Sequence, residues 1–169
     1  PEALTTTSDI NFAGFGLSSS SDALLLRLAD QGLIQRIIPH GADLKSELVH
    51  QWQPGQGVIV VGAIGAVTRL IAPLIQGKSL DPAVLVLDPK GDYVIPLLGG
   101  HSSGADQQAL ELAAKIGGTA VLTGACAHEQ RIPIDCFGEG WGWRRSGTVE
   151  AWRQLMKDQA NKKVLQIRQ

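Results

Sequence analysis

The chain has 169 residues, of which 44% are hydrophobic and 5% aromatic, and its formal net charge is −1. This length fits one domain, or one domain with a small appendage, and the composition favours an α/β core packed from Val, Ile, Leu and Ala. A charge near zero provides no basic field for nucleic acid, and no apolar run reaches the roughly 18 residues that a membrane span needs.

The two cysteines, Cys126 and Cys136, stand in no paired motif and are interpreted as reduced thiols of a cytosolic protein. The N-terminus is polar and lacks the basic start of a signal peptide. We therefore predict a cytoplasmic protein with no membrane or nucleic-acid partner. Residue 1 is proline rather than methionine, and we expect the chain to be a piece of a longer protein.

The first third of the chain predicts alternating strands and helices after a flexible start at residues 1–9. Ile10–Phe15 is a strand candidate, and the leucine-rich helix that follows it ends at Gly32. Leu33–Ile38 predicts a second strand, and Asp43 predicts the N-cap of a second helix.

A partial dinucleotide fingerprint, Gly14-x-Gly16-x-x-Ser19, overlaps this region. Its third position is neither Gly nor Ala. The next strand ends in Pro39-His40-Gly41, without the acidic residue that binds a ribose. Nicotinamide or flavin binding is therefore not favoured, and an unrelated nucleotide-binding fold is kept only as a third interpretation.

Two glycine-rich turns follow apolar strand candidates in the centre of the chain. The strand Val58–Val61 runs into Gly62 and Gly65 and then into a helix-patterned segment. Pro73 removes a hydrogen bond from that helix, so we expect the helix to be short or kinked near Ala72. A strand that ends in glycine and feeds a helix presents backbone N–H groups and the positive end of a dipole, which suits an anionic ligand.

The second turn follows a pair of adjacent strand candidates, Ala83–Leu87 and Tyr93–Leu98, which we expect to form a hairpin or to lie side by side. Gly99 and Gly100 come next. A helix is predicted from near Ser103, where Ser103-x-x-Asp106 resembles a capping box, to Gly117-Gly118. A last strand, Thr119–Leu122, leads to Thr123.

The alternation predicts a three-layer α/β fold, with a mostly parallel sheet and helices on both faces. Because ligands bind beyond the carboxyl ends of parallel strands, we expect both glycine turns and Thr123 to share one crevice. Residues 1–128 are predicted to form this domain. Residues 129–169, with a helix near Val149–Lys157 and a strand at Val164–Ile167, are predicted to form an appendage or a linker to a following domain.

His101 is the strongest candidate for proton transfer, because it lies among small residues in the second glycine turn and a histidine can deliver or accept a proton near neutral pH. A histidine that only hydrogen-bonds locally is the competing interpretation. Arg69, one turn beyond Gly65, is a candidate for binding a ligand carboxylate, with a solvated helix residue as its alternative. Metal binding is not predicted, since Cys126-x-His128 with Cys136 lacks zinc-site spacing.

The segments RLIAPLI, K-x-x-DPAV and LL-x-GH-x-x-GA, within about residues 57–122, resemble the N-terminal domain of the CbiG family. These are the cobalt-precorrin-5A hydrolases of anaerobic cobalamin biosynthesis. The resemblance implies that a δ-lactone on the corrinoid ring is opened and a two-carbon fragment leaves as acetaldehyde. It also implies no cofactor bound by the chain itself, since the cobalt arrives inside the tetrapyrrole substrate.

The resemblance also implies a site. His101 would act in catalysis, and carboxylates of the substrate would meet the glycine turns and the polar residues beside them. These substrate-binding candidates are Gly62, Gly65, Arg69, Gly99, Gly100, Ser102, Ser103, Asp106 and Thr123.

The chain departs from the family at this motif, because GHSSGAD stands where members usually carry GH-x-GGAN. Its tail, FGEGWGWRR…VEAWRQLM, further resembles fusions in which this domain precedes a precorrin-3B C(17)-methyltransferase. Two hypotheses follow. One is a lactone hydrolase, and the alternative is a non-catalytic tetrapyrrole-binding or docking module of a fused methyltransferase, whose parent protein would be named for the methyltransferase.

Overall fold

In the part of the chain that the structure describes, six strands form one sheet in the order β2–β1–β3–β4–β5–β6. The computed structural model describes residues 10–77, 80–100, 103–123 and 146–161. The strands are β1 (Asn11–Gly16), β2 (Arg36–Ile38), β3 (Gln56–Val61), β4 (Ala83–Leu87), β5 (Tyr93–Leu98) and β6 (Thr119–Ala120). β1 to β4 are mutually parallel, whereas β5 is antiparallel to β4 and parallel to β6. The predicted mostly parallel α/β sheet is confirmed.

Helices cover both faces of the sheet, as predicted. They are α1 (Asp22–Asp30), α2 (Leu44–Gln51), α3 (Ile64–Ile71) and α4 (Ala105–Ile116). One core joins apolar residues of α1 and α4 to Ile59, Val61 and other side chains of one sheet face. A second core joins α2 and α3 to Val58, Val60 and the opposite face. Because successive strand residues point to opposite faces and both faces are covered, the central strands are continuous apolar runs.

Local capping explains where several helices begin and end. The Asp43 carboxylate accepts a hydrogen bond from the Ser46 backbone N–H (3.2 Å), so the predicted cap of α2 is confirmed. α3 stops at Ile71 and continues as a 3₁₀ turn over Ala72–Leu74, because Pro73 cannot donate within the helix. Gly117 ends α4 with a φ of 76°, as its sequence predicts.

Three predicted features differ in detail. β2 covers only the end of the predicted strand Leu33–Ile38, because the Leu33 N–H closes the preceding helix by donating to Leu28. β6 is limited to Thr119–Ala120 rather than extending to Leu122. The predicted capping box is wrong. α4 starts after Gly104, and the Ser103 hydroxyl donates to the Asp81 backbone carbonyl (3.1 Å) instead of to its own helix.

The direction of β5 overturns the prediction of one shared edge for the two glycine turns. Val84 pairs with Leu98 and Leu87 with Val94, so β5 ends beside the start of β4. The cause is the short turn between these strands, in which the Gly91 N–H donates to the Asp88 carbonyl (3.0 Å). A turn of this length can join only antiparallel strands, since a parallel connection needs a crossover of about a dozen residues.

The chain divides into two compact units, one of residues 7–122 and one of residues 1–6 with 123–169. The first contains the sheet and α1 to α4. In the second, the described residues include helix α5 (Val149–Ala160), which is capped by the Thr148 hydroxyl accepting from the Ala151 N–H (3.2 Å). The predicted boundary at residue 128 and the strand Val164–Ile167 stay predictions, and that strand lies outside the described residues. No helix within the described ranges combines the length and the apolar character needed to cross a membrane.

Candidate functional site

The strand order of the sheet has a topological switch point between β1 and β3. The connection that leaves β1 passes through α1 to β2 on one side, and the chain then returns through α2 to β3 on the other side of β1. Ligands of open α/β sheets bind beyond the carboxyl ends of strands at such a switch point. We call this region the switch-point edge. It is formed by residues 16–21 after β1 and residues 62–65 after β3, and it extends to Asp22 at the start of α1, His40 after β2 and Arg69 in α3.

The two turns of the switch-point edge are packed tightly against each other. A Cβ atom at Gly62 would lie 2.7 Å from Leu17 Cδ1, so only glycine fits there without a shift. The Leu17 N–H donates to the Val61 carbonyl (3.2 Å), and the buried Ser21 hydroxyl donates to the same oxygen (2.9 Å). The turn after β1 is therefore fixed to the end of β3.

The start of α3 presents a cationic, exposed surface at this edge. Ala63, Ile64 and Gly65 are exposed, and no side chain caps the helix. Arg69 folds back so that its Nη1 donates to the Gly65 carbonyl (2.9 Å). Among the described residues, no carboxylate pairs with this guanidinium. A helix N-terminus next to an unpaired guanidinium suits a ligand carboxylate, which is the role predicted for Arg69.

A histidine–aspartate pair lies at the same edge and was missed by the sequence reasoning. His40 follows β2, Asp22 opens α1, and His40 Nδ1 lies 2.9 Å from Asp22 Oδ2. The two side chains are 44% and 37% exposed. In the sequence, Pro39-His40-Gly41 indicates only that the second strand is not followed by an acidic residue. The pair could have been predicted from the topology of the sheet. Neighbouring parallel strands have their carboxyl ends at one edge, so residues that follow β1 and β2 lie close together there.

The described residues of the second glycine turn, 99–100 and 103–106, are called the motif loop and lie at the opposite edge, where β3 and β4 begin. Gly99 has a φ of 78°, and its carbonyl accepts from the Ser103 N–H (3.0 Å). The Asp106 N–H donates to the Gly100 carbonyl (3.2 Å). A Cβ atom at Gly100 would lie 3.2 Å from each carboxylate oxygen of Asp106. The Asp106 carboxylate thus lies directly against the backbone of this loop.

Asp81, which precedes β4, links the motif loop to the rest of the sheet. Its side chain is buried, and Oδ1 accepts from the Trp52 indole N–H (3.2 Å) and the Gln76 N–H (2.8 Å). Oδ2 accepts from the Gly77 N–H (3.1 Å), and the backbone carbonyl of Asp81 accepts from the Ser103 hydroxyl. These contacts identify Asp81 as a structural carboxylate.

The predicted site residues therefore fall into separate groups. The switch-point edge holds Gly62, Gly65 and Arg69, and the motif-loop edge holds Gly99, Gly100, Ser103 and Asp106. Thr123 belongs to the second compact unit. The predicted catalytic His101 and the predicted Ser102 lie outside the described residues. The single shared crevice is wrong for the described residues, because β5 runs antiparallel to β4.

Within residues 10–77, 80–100, 103–123 and 146–161, no group of three or more His, Cys, Asp or Glu side chains is placed to hold a metal ion. Residues 124–145, which contain both cysteines, are not among the described residues.

Comparison with known proteins gives a consistent family. Residues 47–126 match the family model described as cobalamin synthesis G N-terminal. A cobalt-precorrin-5A hydrolase of Priestia megaterium is 43% identical over 88 residues, which are 52% of this chain and 24% of that protein. A cobalt-precorrin-5A hydrolase of Salmonella typhimurium LT2 is 44% identical over 78 residues, 46% of this chain and 22% of that protein. The chain thus spans about a quarter of the length of these curated relatives.

A solved structure extends the likeness to the fold. The crystal structure of a cobalamin biosynthesis protein G homologue from Sulfolobus solfataricus superposes with a TM-score of 0.59 at 26% identity. The superposition covers 67% of this chain and 36% of that one.

Proposed function

Residues 47–126 belong to the cobalamin synthesis G (CbiG) N-terminal family, and on this premise we propose that the protein acts in cobalamin biosynthesis as a hydrolase of cobalt-precorrin-5A. The reaction would open the δ-lactone of the substrate and release acetaldehyde. The observation that carries the proposal is the 43% identity over 88 residues to a relative with that name. The chain would supply one part of the hydrolase, since it covers 24% of that relative's length.

The contribution of this part would be to bind the carboxylates on the rim of the substrate. Arg69 and the exposed start of α3 provide a charge-assisted donor and backbone N–H groups at the switch-point edge. Ile64, the first residue of α3, is 45% exposed and offers an apolar contact beside them. A tetrapyrrole matches both the anion-binding groups and the apolar contact, because its macrocycle is apolar and is surrounded by acetate and propionate groups.

In this proposal the cobalt belongs to the substrate, and the chain brings no metal or cofactor of its own. The protein would work in the cytoplasm, where the thiols of Cys126 and Cys136 would stay reduced. His101 stays the sequence-predicted candidate for proton transfer. Gly100 and Ser103, which flank the segment containing it, lie at the edge opposite Arg69.

The proposal is tested by incubating the full-length protein with cobalt-precorrin-5A under anaerobic conditions. Acetaldehyde is measured by coupling its reduction to NADH oxidation with added alcohol dehydrogenase, and lactone opening is followed by mass spectrometry. We expect one acetaldehyde per lactone opened, at a rate far above that of buffer.

A protein that binds the corrinoid but releases no acetaldehyde would overturn the proposed hydrolase. That outcome would instead support a non-catalytic tetrapyrrole-binding module serving a fused precorrin-3B C(17)-methyltransferase. A protein that neither binds the corrinoid nor releases acetaldehyde would overturn both functions.

A further inference from the structure

We propose that His40, oriented by Asp22, is the catalytic proton-transfer residue for lactone opening at the switch-point edge. This inference rests on the proposed hydrolase function. It assigns the proton-transfer chemistry to a residue outside the glycine-rich motif loop. The pair lies at the edge that also carries Arg69 and the start of α3, which are the groups best suited to hold the substrate.

The geometry of the pair fixes which ring nitrogen is available. The ring meets the carboxylate through Nδ1, 2.9 Å from Asp22 Oδ2. An ionised carboxylate can only accept hydrogen bonds, so Nδ1 carries the proton and Nε2 of the neutral ring keeps its lone pair. Within the described part of the chain, Nε2 makes no hydrogen bond, and the side chain is 44% exposed. Nε2 is therefore free to accept a proton from a water molecule.

Asp22 is held in a fixed position by the packing of the switch-point edge. Its Oδ1 atom is buried and has no hydrogen-bond donor among the described residues. A Cβ atom at Gly16 would lie 3.4 Å from this oxygen, so the carboxylate lies against the end of β1. The neighbouring Ser21 hydroxyl fixes the same turn to the Val61 carbonyl (2.9 Å). Only Oδ2 is directed outward, and it meets His40.

The pair and the anion-binding groups follow two strands, β2 and β3, that are not adjacent in the sheet, and this spacing suits a large ligand. β2 and β3 lie on either side of β1, and neighbouring strands are about 4.8 Å apart. The ends of β2 and β3 are therefore about 10 Å apart. A macrocycle with carboxylates on its rim can span this distance, with one carboxylate at Arg69 and the lactone carbonyl near His40. A small anion could not contact both groups.

The proposed step adds one water across the acyl–oxygen bond of the lactone. His40 Nε2 takes a proton from the water as its oxygen bonds to the carbonyl carbon. The tetrahedral intermediate then breaks the bond to the ring oxygen, and Nε2–H returns the proton to that leaving oxygen. The products are a carboxyl group and a hydroxyl group, and His40 is neutral again. Asp22 acts as a positioning residue, because it keeps Nδ1 protonated and stabilises the transient imidazolium.

The test compares four variants of the full-length protein in the acetaldehyde assay with cobalt-precorrin-5A. His40→Gln should lower kcat about 100- to 10,000-fold, as expected for loss of a general base, with KM changed no more than a few-fold. Asp22→Asn should lower kcat by a smaller factor, again with little change in KM. His50→Gln is the matched control, since His50 is an exposed histidine near the end of α2, and it should keep wild-type kcat. His101→Gln tests the competing assignment, in which His101 is the proton-transfer residue.

The ring tautomer gives a readout that is independent of turnover. ¹⁵N NMR of the free protein should show His40 mainly as the Nδ1–H tautomer, shifting toward Nε2–H in Asp22→Asn. Wild-type kcat in His40→Gln, with activity lost in His101→Gln, would overturn this inference and leave the proposed function intact. A wild-type protein that binds the corrinoid but releases no acetaldehyde would overturn the proposed function, and this assignment with it.

Discussion

Replacement of Asp81 tests whether this residue supports the fold rather than the chemistry. Its buried carboxylate accepts from the Trp52 indole N–H and from the backbone N–H groups of Gln76 and Gly77. We expect Asp81→Ala to lower the free energy of unfolding by about 2.5–4.5 kcal/mol, and Asp81→Asn by about 1.5 kcal/mol, because the amide oxygen can still accept from the Trp52 indole N–H.

These magnitudes follow from the exposure of the three donors. Gln76 is exposed, so water can replace the carboxylate for its N–H group, whereas Gly77 is only partly exposed and is compensated poorly. Trp52 is only 7% exposed, and its indole N–H would be left without an acceptor. An unsatisfied buried donor costs about 1–3 kcal/mol, and each lost charge-assisted bond adds about 1.5 kcal/mol where water compensates poorly.

Urea unfolding followed by circular dichroism measures this loss. Asp88→Ala is the control, since Asp88 also accepts from two backbone N–H groups, those of Lys90 and Tyr93, but in a partly exposed turn. It should cost only about 1 kcal/mol. Trp52→Phe, combined with Asp81→Ala in a double-mutant cycle, should show a coupling of about 1–2 kcal/mol.

The activity assay distinguishes structure from catalysis. Folded Asp81→Asn should release acetaldehyde with kcat within a few-fold of wild type. A variant that keeps wild-type stability but loses kcat would refute the structural assignment and make Asp81 a catalytic acid.

Two further predictions concern the switch-point edge. Arg69→Ala should weaken binding of a cobyrinic acid analogue by about 1.5–3 kcal/mol in calorimetric titration, and unchanged affinity in a folded variant would make Arg69 a solvated surface residue. Gly62→Ala should destabilise the fold by about 1–3 kcal/mol, because the new methyl group would clash with Leu17. Gly65→Ala, with only an ordinary contact of 3.4 Å to Arg69, should stabilise it by about 0.5–1 kcal/mol, and equal effects in urea unfolding would contradict this packing argument.

The sequence predicted most elements of the sheet unit because each depends on local chemistry. Apolar residues at helical spacing predicted α1 and α3, and Pro73 predicted the early end of α3. The hairpin expected for the strands that became β4 and β5 is confirmed, since the turn Asp88–Gly91 is too short for a parallel crossover. The prediction of one shared crevice assumed that both glycine turns follow parallel strands, which the length of this turn does not allow.

Contacts between distant parts of the chain could not be predicted in the same way. Trp52 and Asp81 are 29 residues apart, and their hydrogen bond depends on the end of α2 lying near the start of β4. His40 and Asp22 meet only because β2 pairs with β1, a strand order that hydrophobic periodicity does not contain. In both pairs, polar side chains that are distant in the sequence meet only in the tertiary structure.

The antiparallel β5 changes what the glycine-rich motif can do. β4 has five residues, Ala83–Leu87, and at about 3.3 Å per residue it separates the two edges by about 17 Å. A carboxylate bound at Arg69 therefore cannot also touch the Asp106 carboxylate at the motif loop. The substitution of Asp106 for the usual asparagine then places no negative charge beside a ligand at the switch-point edge. A negative charge at Asp106 therefore does not weigh against binding of an anionic ligand at the switch-point edge.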